Sequence, residues 1–213
     1  MTEPSMQAVA MQQALAPEDR ARADFYALLS RLYAAAPDAA LLRAIAAADD
    51  LPVTSPDDTA HEFAGSWRNL VLASKATDSE AAAREYQDLF VGVGKSEVSL
   101  HASAYLSRAG GSILADLRGQ LARLGLARQP DISVYEDHLA AVCETMRVLV
   151  GGAPGVAPAS PEQQREFFLT FVSPWAWKCC AAIQQSPIAN YYRRVAEFTQ
   201  HLMMVERDAF AIE

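Results

Sequence analysis

Cysteine is scarce in this chain of 213 residues, with only Cys143, Cys179 and Cys180 present. Cys179 and Cys180 are adjacent and no Cys-x-x-Cys pair exists, so neither a disulfide framework nor a thiolate zinc site can be assembled. Reduced, partly buried thiols in a cytoplasmic compartment are the expectation. Histidine is almost as rare. His61, His101, His138 and His201 fit neither HExxH nor the Glu-x-x-His spacing of di-iron bundles, so no metal is expected. There is no Gly-x-Ser-x-Gly elbow, and no catalytic residue or cofactor is assigned. The chain reads as a binding protein, not an enzyme. Basic residues number 18 against 26 acidic ones, a net charge of −8. That balance argues against nucleic acid and suits a basic peptide. No apolar run approaches the ~18–20 residues needed to span a bilayer, so an integral membrane protein is not expected. Met1–Ala16 also lacks the apolar stretch of a secretory signal.

What the chain has is alanine-rich apolar sequence in helical register. Half of it is hydrophobic (51%), enough for a core without staples. Residues 1–17 show no periodicity and read as a flexible tail, with one domain over 18–213. Phe25, Leu28, Leu29, Leu32 and Tyr33 mark a first helix stopped near Pro37, and Leu41, Leu42 and Ile45 a second. Phe63, Trp67, Leu70 and Val71 mark a third. Thr77–Glu80 supplies a cap for a fourth, which carries Tyr86, Leu89 and Phe90 and ends at Gly92-Val93-Gly94. Ile113 to Leu124 forms a fifth helix closed by Gly125. Ser133-Val134-Tyr135-Glu136 has the spacing of a capping box opening a sixth, which runs to Gly151. Ser160-Pro161 opens a long helix that Pro174 should kink. Ser186-Pro187 repeats the cap-plus-proline start, and the final stripe runs from Ile188 to Val205. No segment alternates with period two. An all-α bundle of about eight helices follows.

Two segments carry potential chemistry. Gly92-Val93-Gly94-Lys95-Ser96 has the look of a P-loop end, but the glycine required five positions earlier is Leu89 and no strand precedes it. A glycine helix cap is the simpler account. A nucleotide-binding or hydrolysing protein using Gly92–Ser96, with Asp137 and His138 as acid and base, stands as the alternative function. Glu136-Asp137-His138 is the most polar cluster beside an apolar helix. There Glu136 serves as a cap and Asp137 complements the helix dipole, with a functional role for Asp137 and His138 left open.

Taken together, these segments resemble the TorD/DmsD/NarJ family of redox-enzyme maturation chaperones. Glu85-Tyr86-Gln87-Asp88-Leu89-Phe90-Val91-Gly92 is similar to the family's acidic–aromatic–x–x–Leu-Phe–x–Gly signature. Val98 to Tyr105 aligns with its Pro-aromatic-x-Ser-x-aromatic segment, although Leu100 replaces the proline and His101 the aromatic. Tyr135-Glu136-Asp137-His138-Leu139 matches its Glu-Asp-His-Leu motif. Phe167–Trp175 resembles its Phe…Pro-Trp stretch, followed by Tyr191-Tyr192. The resemblance spans roughly residues 20–205. It implies a TorD-like helical bundle in the cytoplasm, monomeric or homodimeric, that binds the twin-arginine signal peptide or a related N-terminal segment of a molybdopterin-containing oxidoreductase until its cofactor is inserted. Leu100–Tyr105 looks closest to members that accompany formate dehydrogenases. Carried over by position, the client-binding residues are Tyr86, Leu89, Phe90, Leu100, His101, Asp137 and His138. Asp137, with Glu136 beside it, would pair with client arginines, while Tyr86, Leu89 and Phe90 take the apolar part.

Overall fold

Tyr26, Leu29, Leu32 and Tyr33 lie on one helical face and lose all contact with solvent, as do Val142, Cys143 and Met146 on the helix they meet. The computed structural model describes residues 15–53, 58–92, 94–106, 112–128 and 134–212. Among these residues it contains nine α-helices and no β-strand. They are α1 (Pro17–Ala34), α2 (Ala39–Ala46), α3 (Asp58–Ala76), α4 (Ser79–Tyr86), α5 (Ile113–Arg123), α6 (Leu139–Gly151), α7 (Pro161–Phe167), α8 (Ala176–Gln185) and α9 (Tyr191–Ile212). The principal packing pairs are α1 with α6, α3 with α9, α8 with α9 and α2 with α3. The all-α bundle is as expected. None of these helices is long and apolar enough to cross a membrane.

Buried tyrosines bring polar atoms into this core, and each finds a partner. The Tyr33 hydroxyl lies 2.9 Å from Thr199 Oγ1, and the Tyr192 hydroxyl donates to the Leu32 carbonyl at 3.0 Å. Tyr26 donates to Glu206, which Arg22 also grips with two nitrogens at 2.6 and 2.9 Å. That buried ion pair ties α1 to α9.

Two helices end in π turns, Gln87–Val91 after α4 and Phe168–Val172 after α7. In each, the closing amide reaches five residues back: Gly92 to Gln87 at 2.7 Å and Ser173 to Phe168 at 2.8 Å. Pro174 comes directly after the second. Its missing N–H ends the ladder, so the expected kink is a full break between α7 and α8. This gives one more helix than the pattern suggested.

Two helix starts differ from expectation. Ser133 lies outside the described residues, but α6 begins at Leu139 with His138 as its cap, and Glu136 does not cap it. Glu136 and Asp137 lie in a turn that the His138 amide closes on the Tyr135 carbonyl at 3.1 Å, and His138 is extended and bridged to His101, so the helix does not start earlier. Ser186-Pro187 does not open the last helix either. Ser186 ends α8, and α9 starts at Tyr191. There the Glu85 carboxylate accepts from the amides of Asn190, Tyr191 and Tyr192 at 2.8, 2.9 and 2.8 Å. A side chain from α4 thus caps a helix about a hundred residues away in sequence. Of the tail expected over 1–17, residues 1–14 lie outside the described residues, and the helix already begins at Pro17.

Candidate functional site

The segments 99–105 and 135–139 are joined by a short antiparallel bridge. The Ala102 amide donates to the Asp137 carbonyl and the Leu139 amide to the Leu100 carbonyl, each at 2.8 Å. This pairing brings three of the predicted residues into one cluster. The Asp137 carboxylate lies 3.0 Å from His101 Nδ1 and accepts from the Ser103 amide at 3.2 Å. The rings of His101 and His138 meet edge to face with centroids 4.9 Å apart.

Electrostatics divide the cluster into a fixed part and an open part. Burial raises the Asp137 pKa, but the hydrogen bonds from His101 and Ser103 more than offset it and hold the group at about 2. Asp137 is only 3% exposed, so its charge is committed inside the protein. His138 is equally constrained. Its Nδ1 accepts from the Ala140 amide at 3.1 Å, which puts the ring proton on Nε2. Burial, with the neighbouring His101, lowers its pKa to about 4 despite the opposing charge of Asp137. His101 is more open, with 36% of its side chain in solvent. Tyr135, half exposed, extends the cluster outwards, with its ring 6.4 Å from His101 and 5.9 Å from the Arg128 guanidinium.

The remaining predicted residues sit elsewhere. Leu89 and Leu100 are core side chains, 0% and 3% exposed, and support the site from beneath. Tyr86 and Phe90 belong to an aromatic group with Tyr33 and Tyr192, the Phe90–Tyr192 centroids being 4.9 Å apart. The Tyr86 hydroxyl lies 3.1 Å from the carbonyls of Tyr33 and Ala34 at the end of α1. No hydrogen bond or ring contact joins this group directly to His101, Asp137 or His138 among the described residues.

A groove lies beside the two places, and none of the seven predicted residues lines it. It encloses about 470 Å³ between the end of α1, α5 and α6, and its floor is largely apolar, with Leu121, Leu126, Ala140 and Val148. Ala34, the residue that Tyr86 touches, lines one part, and Glu136, next to Asp137, lines another. Two carboxylates border it. Glu136 is bound by Arg118 through two bonds of 3.0 and 3.1 Å, with Arg128 farther off at 3.9 Å. Burial pushes the Glu136 pKa up, but Arg118 and Arg128 more than reverse this, so it lies below its ordinary value. Glu144 is held by Arg147, one turn on along α6, at 2.7 Å. Sequence reasoning missed this groove and the roles of Arg118 and Glu144. Their only local signal is a glutamate and an arginine three apart on one helix, a spacing common on solvated surfaces.

The glycine loop has a structural role. At Gly92 φ is +63°, and a Cβ there would overlap the Lys95 carbonyl. Its amide closes the π turn, and Val98 returns to bond the Leu89 carbonyl at 2.9 Å. Val93 lies outside the described residues. Among the described residues no group of three or more His, Cys, Asp or Glu side chains is placed to hold a metal ion.

No curated protein matches the chain significantly. A family model, nitrate reductase delta subunit, matches residues 56–181, a span that includes the π turn after α4, both bridged segments and the break at Pro174. With that match covering more than half of its length, the chain belongs to the nitrate reductase delta subunit family, the NarJ/TorD-type chaperones that mature molybdenum-containing redox enzymes.

Proposed function

We propose that this chain binds the N-terminal segment, in the twin-arginine form, of a molybdopterin-containing oxidoreductase in the cytoplasm and holds it until cofactor insertion is complete. It acts by binding, without turnover. The observation that carries this reading is the apolar groove of about 470 Å³ bordered by the carboxylates of Glu136 and Glu144. A twin-arginine segment presents two guanidinium groups ahead of an apolar stretch. A groove with carboxylates at its rim and aliphatic side chains on its floor matches that order of chemistry. The net charge of −8 adds long-range attraction for a basic segment.

The predicted residues take different parts in this scheme. His101 and the half-exposed Tyr135 lie outside the groove lining, next to Glu136, and offer the client open side chains there. Asp137 and His138 are positioning residues: Asp137 orients His101 and fixes the bridge, and His138 starts α6. Tyr86 and Phe90 shape the end of the groove next to Ala34. Glu136, not Asp137, is the carboxylate that meets an arginine, because Asp137 already has two internal partners and almost no exposed surface.

Calorimetric titration of the full chain tests this with synthetic N-terminal segments of the molybdoenzyme catalytic subunits encoded by the same organism. The segment of a formate dehydrogenase comes first, because of the Leu100–Tyr105 resemblance. Saturable binding of at least one segment is expected. It should weaken by about 1–3 kcal/mol when both client arginines become alanine. Failure of every such segment to bind would overturn the proposal.

A further inference from the structure

The deeper of the groove's two carboxylates, Glu136, already holds a guanidinium. Glu136 is 11% exposed, whereas the arginine covering it, Arg118 on α5, is half in solvent. The pairing is a fork: Nε to one carboxylate oxygen at 3.0 Å and one terminal nitrogen to the other at 3.1 Å. This is the bidentate arrangement that a guanidinium from outside would adopt on the same carboxylate. A carboxylate with so little exposure is unfavourable without a partner, so Glu136 requires a cation whether or not a client is bound. Arg118 supplies one from the solvent side, on a long side chain that can swing away without disturbing the core.

We propose that Arg118 is an internal competitor for the client: it occupies Glu136 as a stand-in guanidinium, and a client arginine must displace it to bind. The proposal rests on the groove being the client site. It explains how a groove of general apolar character rejects segments without arginine. Such a segment leaves the Arg118–Glu136 pair intact and gains only floor contacts, whereas an arginine-bearing one exchanges like for like and adds those contacts. The exchange also keeps Glu136 from being stranded while the client enters or leaves. Arg128, at 3.9 Å, is beyond hydrogen-bond range of Glu136 and remains as background positive charge.

The consequence runs against simple charge intuition in one respect that can be measured. Arg118→Ala should bind an arginine-bearing client peptide more tightly, by about two- to five-fold, the range of a surface ion pair, since Arg118 covers Glu136 from the solvent side. Three controls separate this from a general rise in negative charge. Arg68→Ala, which removes a charge from an exposed pair with Asp50 on the far helix α3, should leave affinity within error. In a Glu136→Gln background the gain from Arg118→Ala should vanish. A peptide with both arginines replaced by lysine should gain less, because an ammonium cannot take the forked position. Fluorescence anisotropy of a labelled client peptide reads all of these, and circular dichroism confirms that each variant is folded. Arg118→Gln serves as a second variant should the alanine form fold poorly. If wild-type protein binds the peptide and neither Arg118 variant tightens it, the competitor role is refuted while the client site stands. Equal gains from Arg118→Ala and Arg68→Ala refute it too. If no variant binds at all, the client site itself is wrong and the competitor role falls with it.

Discussion

Removing the Glu85 carboxylate should loosen the attachment of α9 without touching the groove. Glu85 accepts from three successive amides, of Asn190, Tyr191 and Tyr192. Asn190 is exposed and its amide can turn to water. Tyr191 and Tyr192 are buried, at 1% and 0% exposure, so their amides lose a partner that water cannot readily replace. Losing an ordinary helix cap costs about 1 kcal/mol. Two buried amides deprived of a charged acceptor raise this to about 2–3 kcal/mol for Glu85→Ala. For a chain of this length that corresponds to a fall in Tm of about 5–10 °C. Glu85→Gln keeps one acceptor oxygen and should cost about 1 kcal/mol. Urea unfolding followed by circular dichroism at 222 nm gives both values, and client-peptide affinity is measured on the same samples at 25 °C. A loss below about 0.5 kcal/mol for the alanine variant would refute the capping role. Lost peptide affinity at unchanged stability would instead place this signature residue in the client site.

Two further outcomes follow from buried charge. Glu206 is 2% exposed and held by Arg22 and Tyr26, so Glu206→Ala takes the acceptor from the buried Tyr26 hydroxyl and leaves Arg22 with Asp19 alone, at a cost of about 2–3 kcal/mol. Arg22→Met combined with Glu206→Leu should recover most of that loss in the same urea assay, and a double variant as weak as the single one would contradict it. The second concerns acid. Because His138 titrates at about 4 when folded but near 6.5 when unfolded, the unfolded chain binds the extra proton between those values. Stability should therefore fall as pH drops from about 6.5 to 4. His138→Asn keeps a capping side chain and removes that proton, so its stability should vary less over this window, by on the order of 2–3 kcal/mol. Parallel pH slopes for the two proteins in urea unfolding would show that another group is responsible.

Most of the helices were legible in the sequence because their apolar residues recur with a period near 3.6, and the tight turns because glycine and proline mark them. The errors fall where a distant partner decides. Ser133 and Glu136 have the spacing of a capping box, yet a turn at 136–137 and the bridge from His138 to His101 put the helix start after His138. Ser186-Pro187 has the composition of a helix start, yet the amides at 190–192 find their acceptor on α4. Pro174 was legible as a disruption, but whether a helix bends or breaks depends on what can hold its freed carbonyls. The site divides in the same way. His101, Asp137 and His138 were identified together by resemblance, and the bridge brings them into contact. That Leu89 and Leu100 are core, and that Glu144 and the Arg118-bound Glu136 border a groove, depends on α1, α5 and α6 coming together, which no local pattern encodes.

The adjacent carboxylates of Glu136 and Asp137 show why sequence position alone could not assign their roles. Glu136 and Asp137 are the central residues of the turn that His138 closes on the Tyr135 carbonyl, and their side chains leave it towards different partners. Asp137 turns towards 101–103, where it finds a histidine and an amide in fixed positions. Glu136 turns towards α5 and the groove, where its main partner is a solvent-exposed arginine. Both carboxylates are held below their usual pKa, so both are ionised at neutral pH. A difference in charge state therefore cannot separate them, and what separates them is the cost of exchanging the partner. Replacing His101 or the Ser103 amide around Asp137 means breaking the bridge that positions the whole segment. Replacing Arg118 on Glu136 means moving one surface side chain. On the proposed binding scheme a client arginine takes the carboxylate with the lower exchange cost, with Glu136 as the point of contact and Asp137 as the frame beside it.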